Sequence, residues 1–217
     1  MSETNIRLQK IADFVRARQK EIYLKREDRA EFDRLLVSLD YRWRHTLRVF
    51  QWGKRIAEAE GADVELVVAA CLLHDVASFN VLPDNNDHGR VGAEITRPLL
   101  NEIGYTPGQV ENICISVAEH ADVENPSTLE ARVVTDADNV DRFGAFRVLY
   151  WCLPEISDYD KLTEKLRKRI ERLEGYRAKS PLCTPTGQKL FAEQLDFQIA
   201  VFKKFIEEHD SSVMPTL

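Results

Sequence analysis

The sequence predicts an all-α fold for this chain of 217 residues. Apolar residues recur at intervals of three and four through most of the chain, which is the spacing of amphipathic helices. No stretch shows the alternation of apolar and polar residues that is typical of a strand, and there is no internal repeat. Clusters of proline, glycine and polar residues separate the periodic segments, as they do between helices.

Four helices are predicted in the first half of the chain, over residues 3 to about 29, 41–60, 64–75 and 88 to about 103. The second helix follows an N-cap at Ser38 or Asp40, and Asp63 caps the third. Residues 77–87 contain proline, asparagine and aspartate and are predicted to form a loop. Pro98 lacks a backbone donor, so we expect it to kink or restart the fourth helix.

Four further helices are predicted in the second half, from Pro107 to His120 and over residues 129 to about 151, 159–173 and 186–208. The first of them begins with Thr106 and Pro107, the favoured order of a cap followed by proline. The 44% content of hydrophobic residues is enough for one sizeable core. We therefore expect a single domain over residues 1–217.

Composition excludes several classes of partner. The net charge of −6 argues against a surface for nucleic-acid polymers or anionic membranes, because both need a basic footprint. No apolar run approaches the ~18 residues of a membrane span, and the N-terminus lacks the apolar segment of a signal peptide. The four cysteines lie far apart without a C-x-x-C pair, so we expect a reduced, cytoplasmic protein.

The stretch over residues 64–76 is predicted to lie at the centre of the fold. Its eight consecutive apolar residues, 66–73, lead directly into His74 and Asp75. A segment that is apolar on every side belongs in a core, so a histidine and a carboxylate are carried there with it. A buried carboxylate is costly unless it protonates, pairs or binds a metal.

Further histidines are expected near this pair. His45 shares an apolar stripe with Val49 and Ile56, and His120 follows Val117 on the inner face of its helix. His88 begins its helix after a polar loop. Imidazole combined with carboxylate is the ligand set of zinc, iron, manganese or nickel sites.

The predicted helix over residues 129–151 carries three aspartates, Asp136, Asp138 and Asp141. Asp138 shares a stripe with Val134, yet Asp136 has comparable apolar neighbours. Periodicity alone therefore does not choose among the three as a partner for the histidines.

Five motifs occur in a fixed order: HTLRV at 45–49, LLHDV at 72–76, DHGRVGAEI at 87–95, EH at 119–120 and DADNVD at 136–141. Together they resemble the HD-domain metal-dependent phosphohydrolase superfamily, an all-helical fold, and in particular its small stand-alone bacterial members. The resemblance spans roughly residues 38–150. It implies an HD-type core there, with the C-terminal helices at 159–209 packed on it.

The resemblance also implies a ligand set. His45, His74, Asp75 and Asp138 would hold one divalent ion, which could be manganese, iron, nickel, zinc or magnesium. In members with two metals, the positions of His88 and His120 hold the second ion and Asp75 bridges both. The resemblance thus selects Asp138 among the three aspartates.

The activity that the resemblance implies is hydrolysis of a nucleotide or a similar small phosphate ester or anhydride. Catalytic roles are expected for Asp75, Glu119 and His120. His120 beside Glu119 would protonate the leaving oxygen if no second metal occupies that histidine. Arg44, Arg48 and Arg142 are predicted either to bind the phosphate or to form ordinary surface salt bridges. The alternatives are a degenerate HD domain that senses a nucleotide or metal, and a helical interaction domain whose histidines are structural.

Overall fold

The computed structural model describes residues 2–25, 39–78, 88–121 and 124–212. These residues form nine α-helices and one short 3-10 helix, without a strand among them, so the predicted all-α class is confirmed. The elements are α1 (Glu3–Lys25), α2 (Leu39–Glu60), α3 (Val64–Leu73), α4 (His88–Glu102), α5 (Pro107–Glu119), α6 (Leu129–Arg142), α7 (Ala145–Cys152), the 3-10 helix (Leu153–Glu155), α8 (Tyr159–Ala178) and α9 (Pro185–Asp210). Across these ranges, no helix has both the length and the apolar character needed to cross a membrane.

The chain divides into two compact units. The first unit comprises Met1–Asp141 and Leu182–Gly187, and the second comprises Arg142–Pro181 and Gln188–Leu217. A single domain over residues 1–217 stays a prediction.

In the first unit, α3 is the central element, and it contacts α1, α2 and α5. All of residues 66–73 are buried, as expected for a helix that is apolar on every side. The helix begins at its predicted cap, where Asp63 Oδ1 accepts hydrogen bonds from the backbone N–H groups of Glu65 and Leu66. At Gly53 of α2, any Cβ atom would clash with the sulfur of Cys71 on α3. This close approach fixes the helix that carries His45 against the helix that ends at His74.

The predicted start of α5 is also confirmed. Thr106 is its N-cap, and the side chain of Gln109 accepts from the Thr106 backbone N–H at 3.0 Å, which completes a capping box. The helix does not restart at Pro98, because α4 runs through this proline, and a kink there stays a prediction.

The long helix predicted over residues 129–151 is instead two helices, α6 and α7. Gly144 lies between them in an extended conformation, with φ −74° and ψ −176°, and is the N-cap of α7. The side-chain amide of Gln198 donates to the carbonyl oxygen of Phe143 and so replaces a helical hydrogen bond at the break. The contact joins residues 55 positions apart, which explains why local periodicity does not show it.

Two predicted elements in the N-terminal half of the chain include residues outside the described ranges. These are the end of the first helix beyond Lys25, and most of the loop over 77–87. The proposed cap Ser38 also lies there, whereas Asp40 lies within the first turn of α2 and is not its cap.

The second unit has an aromatic core. The rings of Phe143 and Phe191 pack edge to face with centroids 4.8 Å apart, and Phe143 also meets Tyr176 at 5.7 Å. Leu166 and Leu173 of α8 are also fully buried in this unit. The four cysteines of the chain are free, as predicted from their spacing.

Candidate metal centre

Four polar side chains of the first unit converge in its interior. His45 comes from α2, His74 and Asp75 directly follow α3, and Asp138 comes from α6. Their exposed fractions are 5%, 0%, 5% and 4% respectively. Burial of this many ionisable groups requires compensation by one another or by a bound ion.

Their ligand atoms surround one position. His45 Nε2 lies 3.2 Å from His74 Nε2, 3.2 Å from Asp138 Oδ1 and 3.6 Å from Asp75 Oδ2. His74 Nε2 lies 3.5 Å from Asp75 Oδ2 and 3.9 Å from Asp138 Oδ1. Two imidazole nitrogens and two carboxylate oxygens therefore face each other across a space of a few ångströms.

The other nitrogen of each ring is occupied. His74 Nδ1 lies 2.7 Å from the carbonyl oxygen of Cys71, which can only accept, so this nitrogen carries the proton. His45 Nδ1 lies 2.7 Å from Asp141 Oδ2, which is also an acceptor. In the neutral rings, both Nε2 atoms therefore present lone pairs to each other, and this is the tautomer of histidines that bind metals.

Such a collection of lone pairs needs a cation. Burial lowers the pKa of His45, but the hydrogen bonds to Asp138 and Asp141 outweigh it and raise this pKa to about 9. In the metal-free protein, a proton on His45 thus supplies the positive charge that the cluster requires. A divalent ion would supply two positive charges in place of that one and satisfy four ligand atoms at once.

Asp75 stays ionised despite its burial. Burial alone would raise its pKa, but the positive charge of Arg42 and the neighbouring histidines hold the pKa well below its usual range. Arg42 Nη1 lies 2.5 Å from Asp75 Oδ2. The carboxylate is therefore available as a ligand at neutral pH.

A second group of atoms lies on the other side of Asp75. His88 Nε2 is 3.6 Å from Asp75 Oδ1 and 3.1 Å from His120 Nε2. His120 Nδ1 donates to the carbonyl oxygen of Val117 at 2.7 Å, so its Nε2 also carries a lone pair when the ring is neutral. Burial, and secondarily the neighbouring His74, lower the pKa of His120 to about 4. The two oxygens of Asp75 thus face two different sets of histidines.

These groups fit a divalent cation. In the described part of the chain, His45, His74 and Asp138 form one set whose ligand atoms all lie within 4.8 Å of each other, and His74, Asp75 and His120 form another. Neutral imidazole and carboxylate suit zinc, iron, manganese and nickel.

The structure separates Asp136 from Asp138, two of the three aspartates among which periodicity does not choose. Asp136 is fully buried away from the cluster, where it accepts hydrogen bonds from the backbone of Cys183 at 2.8 Å and of Thr184 at 2.7 Å. Asp138 lies at the cluster. Both aspartates are buried because α6 is covered on more than one face, so one stripe could not distinguish them.

The other predicted site residues lie in different surroundings. Arg48 pairs with Asp141, with its Nε 2.6 Å from Oδ1, and so contacts the cluster through the partner of His45. Arg44 is exposed, and its Nε lies 3.4 Å from Asp40 Oδ1. The Glu119 carboxylate accepts hydrogen bonds from Ser127, at 2.6 Å from the backbone nitrogen. Arg142 ends α6 as an exposed residue and belongs to the second unit.

Arg42 is not among the site residues predicted from the sequence, and Asp141 is predicted only as one of three candidate aspartates before the resemblance selects Asp138. Helical spacing could have suggested both, because Arg42 lies three residues before His45 and Asp141 three residues after Asp138. Residues three apart lie on one helix face, so each is placed beside a predicted ligand.

Comparisons with known proteins agree with this picture. Residues 42–142 match the family model of the HD domain. No curated protein sequence matches the chain. A predicted HD superfamily hydrolase from an uncultured Thermotogales bacterium has a similar fold, with a TM-score of 0.63, 22% identity, and coverage of 96% of this chain and 99% of that one.

Two further solved structures share the fold. Bacillus subtilis YpgQ in complex with ADP gives a TM-score of 0.53 at 20% identity, over 76% of this chain and 88% of YpgQ. A Lactobacillus plantarum protein gives 0.58 at 19% identity, over 95% and 96% of the two chains. The family match and the histidine and aspartate cluster together support a site that could hold a divalent metal ion. Residues 42–142 of this chain are an HD domain.

Proposed function

We propose that the protein is a metal-dependent phosphohydrolase that acts on a nucleotide or a similar small phosphate ester or anhydride. One observation carries the proposal. His45, His74 and His120 each bond through Nδ1 to a carboxylate or carbonyl acceptor. The Nε2 atoms of His45 and His74 lie within 3.9 Å of the carboxylates of Asp75 and Asp138, and the Nε2 atom of His120 lies 3.1 Å from that of His88. A structural role for the histidines would not require this common orientation.

The first ion would be held by His45, His74, Asp75 and Asp138. The second, weaker position would use His88, His120 and the Oδ1 atom of Asp75. A divalent ion in such a site acidifies a bound water and offsets the charge of phosphoryl oxygens, which are the two requirements of phosphate hydrolysis.

The chain's own residues prepare this site in three ways. Arg42 keeps Asp75 ionised. Asp141 fixes the ring of His45 in the tautomer that a ligand needs. His120, with a pKa of about 4 and its proton on Nδ1, has an Nε2 that accepts rather than donates at neutral pH. We therefore propose His120 as a ligand or proton acceptor, in preference to the expected protonation of the leaving oxygen by His120 beside Glu119.

A nucleotide substrate is supported by the structural likeness to YpgQ, which has been solved with ADP. Phosphate binding by Arg44, Arg48 and Arg142 stays a prediction, with ordinary salt bridges as its alternative. The free cysteines support a reducing compartment, and we propose the cytoplasm as the site of the activity.

A screen for phosphate release tests the proposal. Nucleoside mono-, di- and triphosphates, cyclic dinucleotides and simple phosphate esters are each incubated with manganese, iron, nickel, zinc or magnesium. We expect release from at least one substrate that requires the metal and stops with chelator. Nucleotide binding without any turnover would instead indicate the degenerate sensor. If the protein bound neither nucleotide nor metal, the helical interaction domain would be the remaining alternative.

A further inference from the structure

The second unit contains a buried guanidinium group. Among the residues of this unit that the structure describes, no carboxylate pairs with it. Arg169 of α8 is only 7% exposed. Its Cζ atom lies 4.6 Å from the ring centroid of Trp151 and 5.0 Å from that of Phe143. Its Nε is fully enclosed and has no hydrogen-bond acceptor. A buried cation in such surroundings is costly unless an anion compensates it.

A second donor in the same place also lacks an acceptor. The indole Nε1 of Trp151 is enclosed and makes no hydrogen bond. An indole nitrogen can only donate, and so can a guanidinium nitrogen. Buried polar groups in native proteins are nearly always bonded, so two adjacent unfilled donors call for an explanation. Both need the same kind of partner, a group that accepts hydrogen bonds.

The charges around Arg169 are positive as well. Burial is the largest cause that lowers the pKa of Arg169. The guanidinium groups of Arg172 and Arg147 lower this pKa further, to about 10. Arg172 lies one turn further along α8 and donates to the hydroxyl of Tyr176 at 2.9 Å. Arg147 Nε donates to a backbone carbonyl at 2.9 Å. Three arginines are thus gathered without a facing acid in the described part of this unit.

The carboxylate of Glu155 does not fill this role. Its oxygens pair with Lys161 at 2.7 Å and with Lys165 at 3.6 Å. Lys165 also lies over the Trp151 ring, with its Nζ 5.4 Å from the centroid, and adds a further positive charge to the surroundings.

Ring contacts alone do not account for the arrangement. The faces of Trp151 and Phe143 attract the charge of Arg169. They provide no oxygen for its N–H groups, and they leave the indole N–H of Trp151 without a partner. An oxyanion would satisfy both, because the planar guanidinium fork matches the oxygens of a phosphate.

We propose that Arg169 is the centre of an oxyanion site in the second unit, with Trp151 and Arg172 beside it, and that its ligand is a phosphate group. None of these residues is a predicted metal ligand, so the site goes beyond the proposed hydrolase function. Free phosphate and the phosphate of a nucleotide share the required chemistry.

Thermal unfolding with inorganic phosphate tests the site. Wild type, Arg169→Gln and Arg167→Gln are compared as chloride is replaced by phosphate at constant pH and ionic strength. Arg167 is a matched control, because it lies on the same helix in an exposed ion pair with Asp210 at 2.7 Å. We expect phosphate to raise the melting temperature of wild type and Arg167→Gln, and not that of Arg169→Gln. An equal rise in all three proteins would overturn the proposal, and so would no rise in any of them.

Two milder variants cover the case in which Arg169→Gln fails to fold. Arg169→Lys keeps the charge but loses the fork, and Trp151→Phe removes only the indole donor. Isothermal titration with inorganic phosphate should show binding at least about 10-fold weaker in Arg169→Lys and a few-fold weaker in Trp151→Phe. Wild-type affinity in both variants would contradict a site at these donors.

A parallel titration with a nucleoside monophosphate distinguishes the two sources of phosphate. Tighter binding of the nucleotide than of inorganic phosphate, lost in Arg169→Gln, would assign the site to a nucleotide. Equal affinity would assign it to free phosphate. Nucleotide affinity that is unchanged in Arg169→Gln, together with no phosphate response, would overturn the site.

Discussion

The two buried polar clusters of the molecule have opposite deficits. Around Asp75 in the first unit, histidine nitrogens and carboxylate oxygens present lone pairs, with Arg42 as the nearby cation. Around Arg169 in the second unit, N–H donors and positive charges lie close together, and no carboxylate among the described residues pairs with Arg169. The first cluster needs a cation and the second an anion. Each deficit indicates the charge and chemistry of the partner that would complete it.

The clusters also differ in how the protein itself compensates them. In the first cluster, a proton on His45 provides a positive charge when no metal is bound. This proton takes the place of the metal's charge. In the second, only the rings of Trp151 and Phe143 offset the charge. We therefore expect pH to affect the first cluster strongly.

Asp75→Asn should give the largest effect, because it removes the carboxylate shared by both predicted ion positions. We expect turnover to fall by at least the ~10²- to 10³-fold that loss of one electrostatic contact to a transition state costs. Steady-state hydrolysis of whichever substrate the screen identifies measures it. Asp196→Asn, at an exposed ion pair with Arg177, is the control and should match wild type. Turnover within a few-fold of wild type in Asp75→Asn would contradict the shared role of this carboxylate.

The stability of the metal-free protein should depend on pH in two windows. The folded-state pKa of His45 is raised to about 9, so its contribution is present below its unfolded pKa of ~6.5 and is lost as pH rises through 9. The folded-state pKa of His120 is lowered to about 4, so its contribution is present above ~6.5 and is lost as pH falls through 4. Across each window, the free energy of unfolding changes by roughly 3 kcal/mol at most.

Chemical denaturation of the chelated protein between pH 4 and 9 measures both windows. His45→Gln should flatten the alkaline decline and His120→Gln the acidic one. Alkaline and acidic slopes that stay as steep in the variants as in wild type would show that other groups control the profile.

Asp141→Asn should weaken the metal site without removing a ligand. Its carboxylate accepts a hydrogen bond from His45 Nδ1, and loss of such a partner typically costs about 10- to 100-fold in metal affinity or activity. A competition titration with a chelator of known affinity gives the change. Unaltered affinity would mean that the ring of His45 does not depend on Asp141 for its orientation.

Arg48→Gln should give the smallest effect. Arg48 contacts Asp141 at 2.6 Å but remains partly exposed, so solvent screens the pair. We expect metal affinity to fall by about 2- to 5-fold, as for a pair worth ~0.5–1 kcal/mol, with little change in KM. A large rise in KM at normal metal affinity would instead show that Arg48 binds the phosphate of the substrate.

The sequence alone is informative where metal-binding residue types occur in a characteristic order along the chain. The ordered histidines and aspartates predict the cluster, because few residue types bind metals and each stands at a recognisable point in its helix. The caps at Asp63 and Thr106 follow for the same reason, since a cap is a local interaction.

Other features depend on contacts that are distant along the chain. The break at Gly144 accompanies a hydrogen bond from Gln198. Periodicity does not choose between Asp136 and Asp138, and the selection of Asp138 comes from the resemblance alone. The physical reason is a contact distant along the chain, because Asp136 accepts hydrogen bonds from the backbone of Cys183 and Thr184. The surroundings of Arg169 could not be predicted, because a missing acid is visible only once the neighbours in space are known.

Metal content per chain in Asp138→Ala and Asp136→Ala tests the central claim most directly. Both aspartates lie buried on α6, but only Asp138 has an oxygen in the cluster, at 3.2 Å from His45 Nε2. Elemental analysis of the folded proteins should find at least one divalent ion per chain in wild type and in Asp136→Ala. It should find little or none in Asp138→Ala. Wild-type metal content in Asp138→Ala, or its loss in folded Asp136→Ala alone, would contradict the assignment of the metal centre.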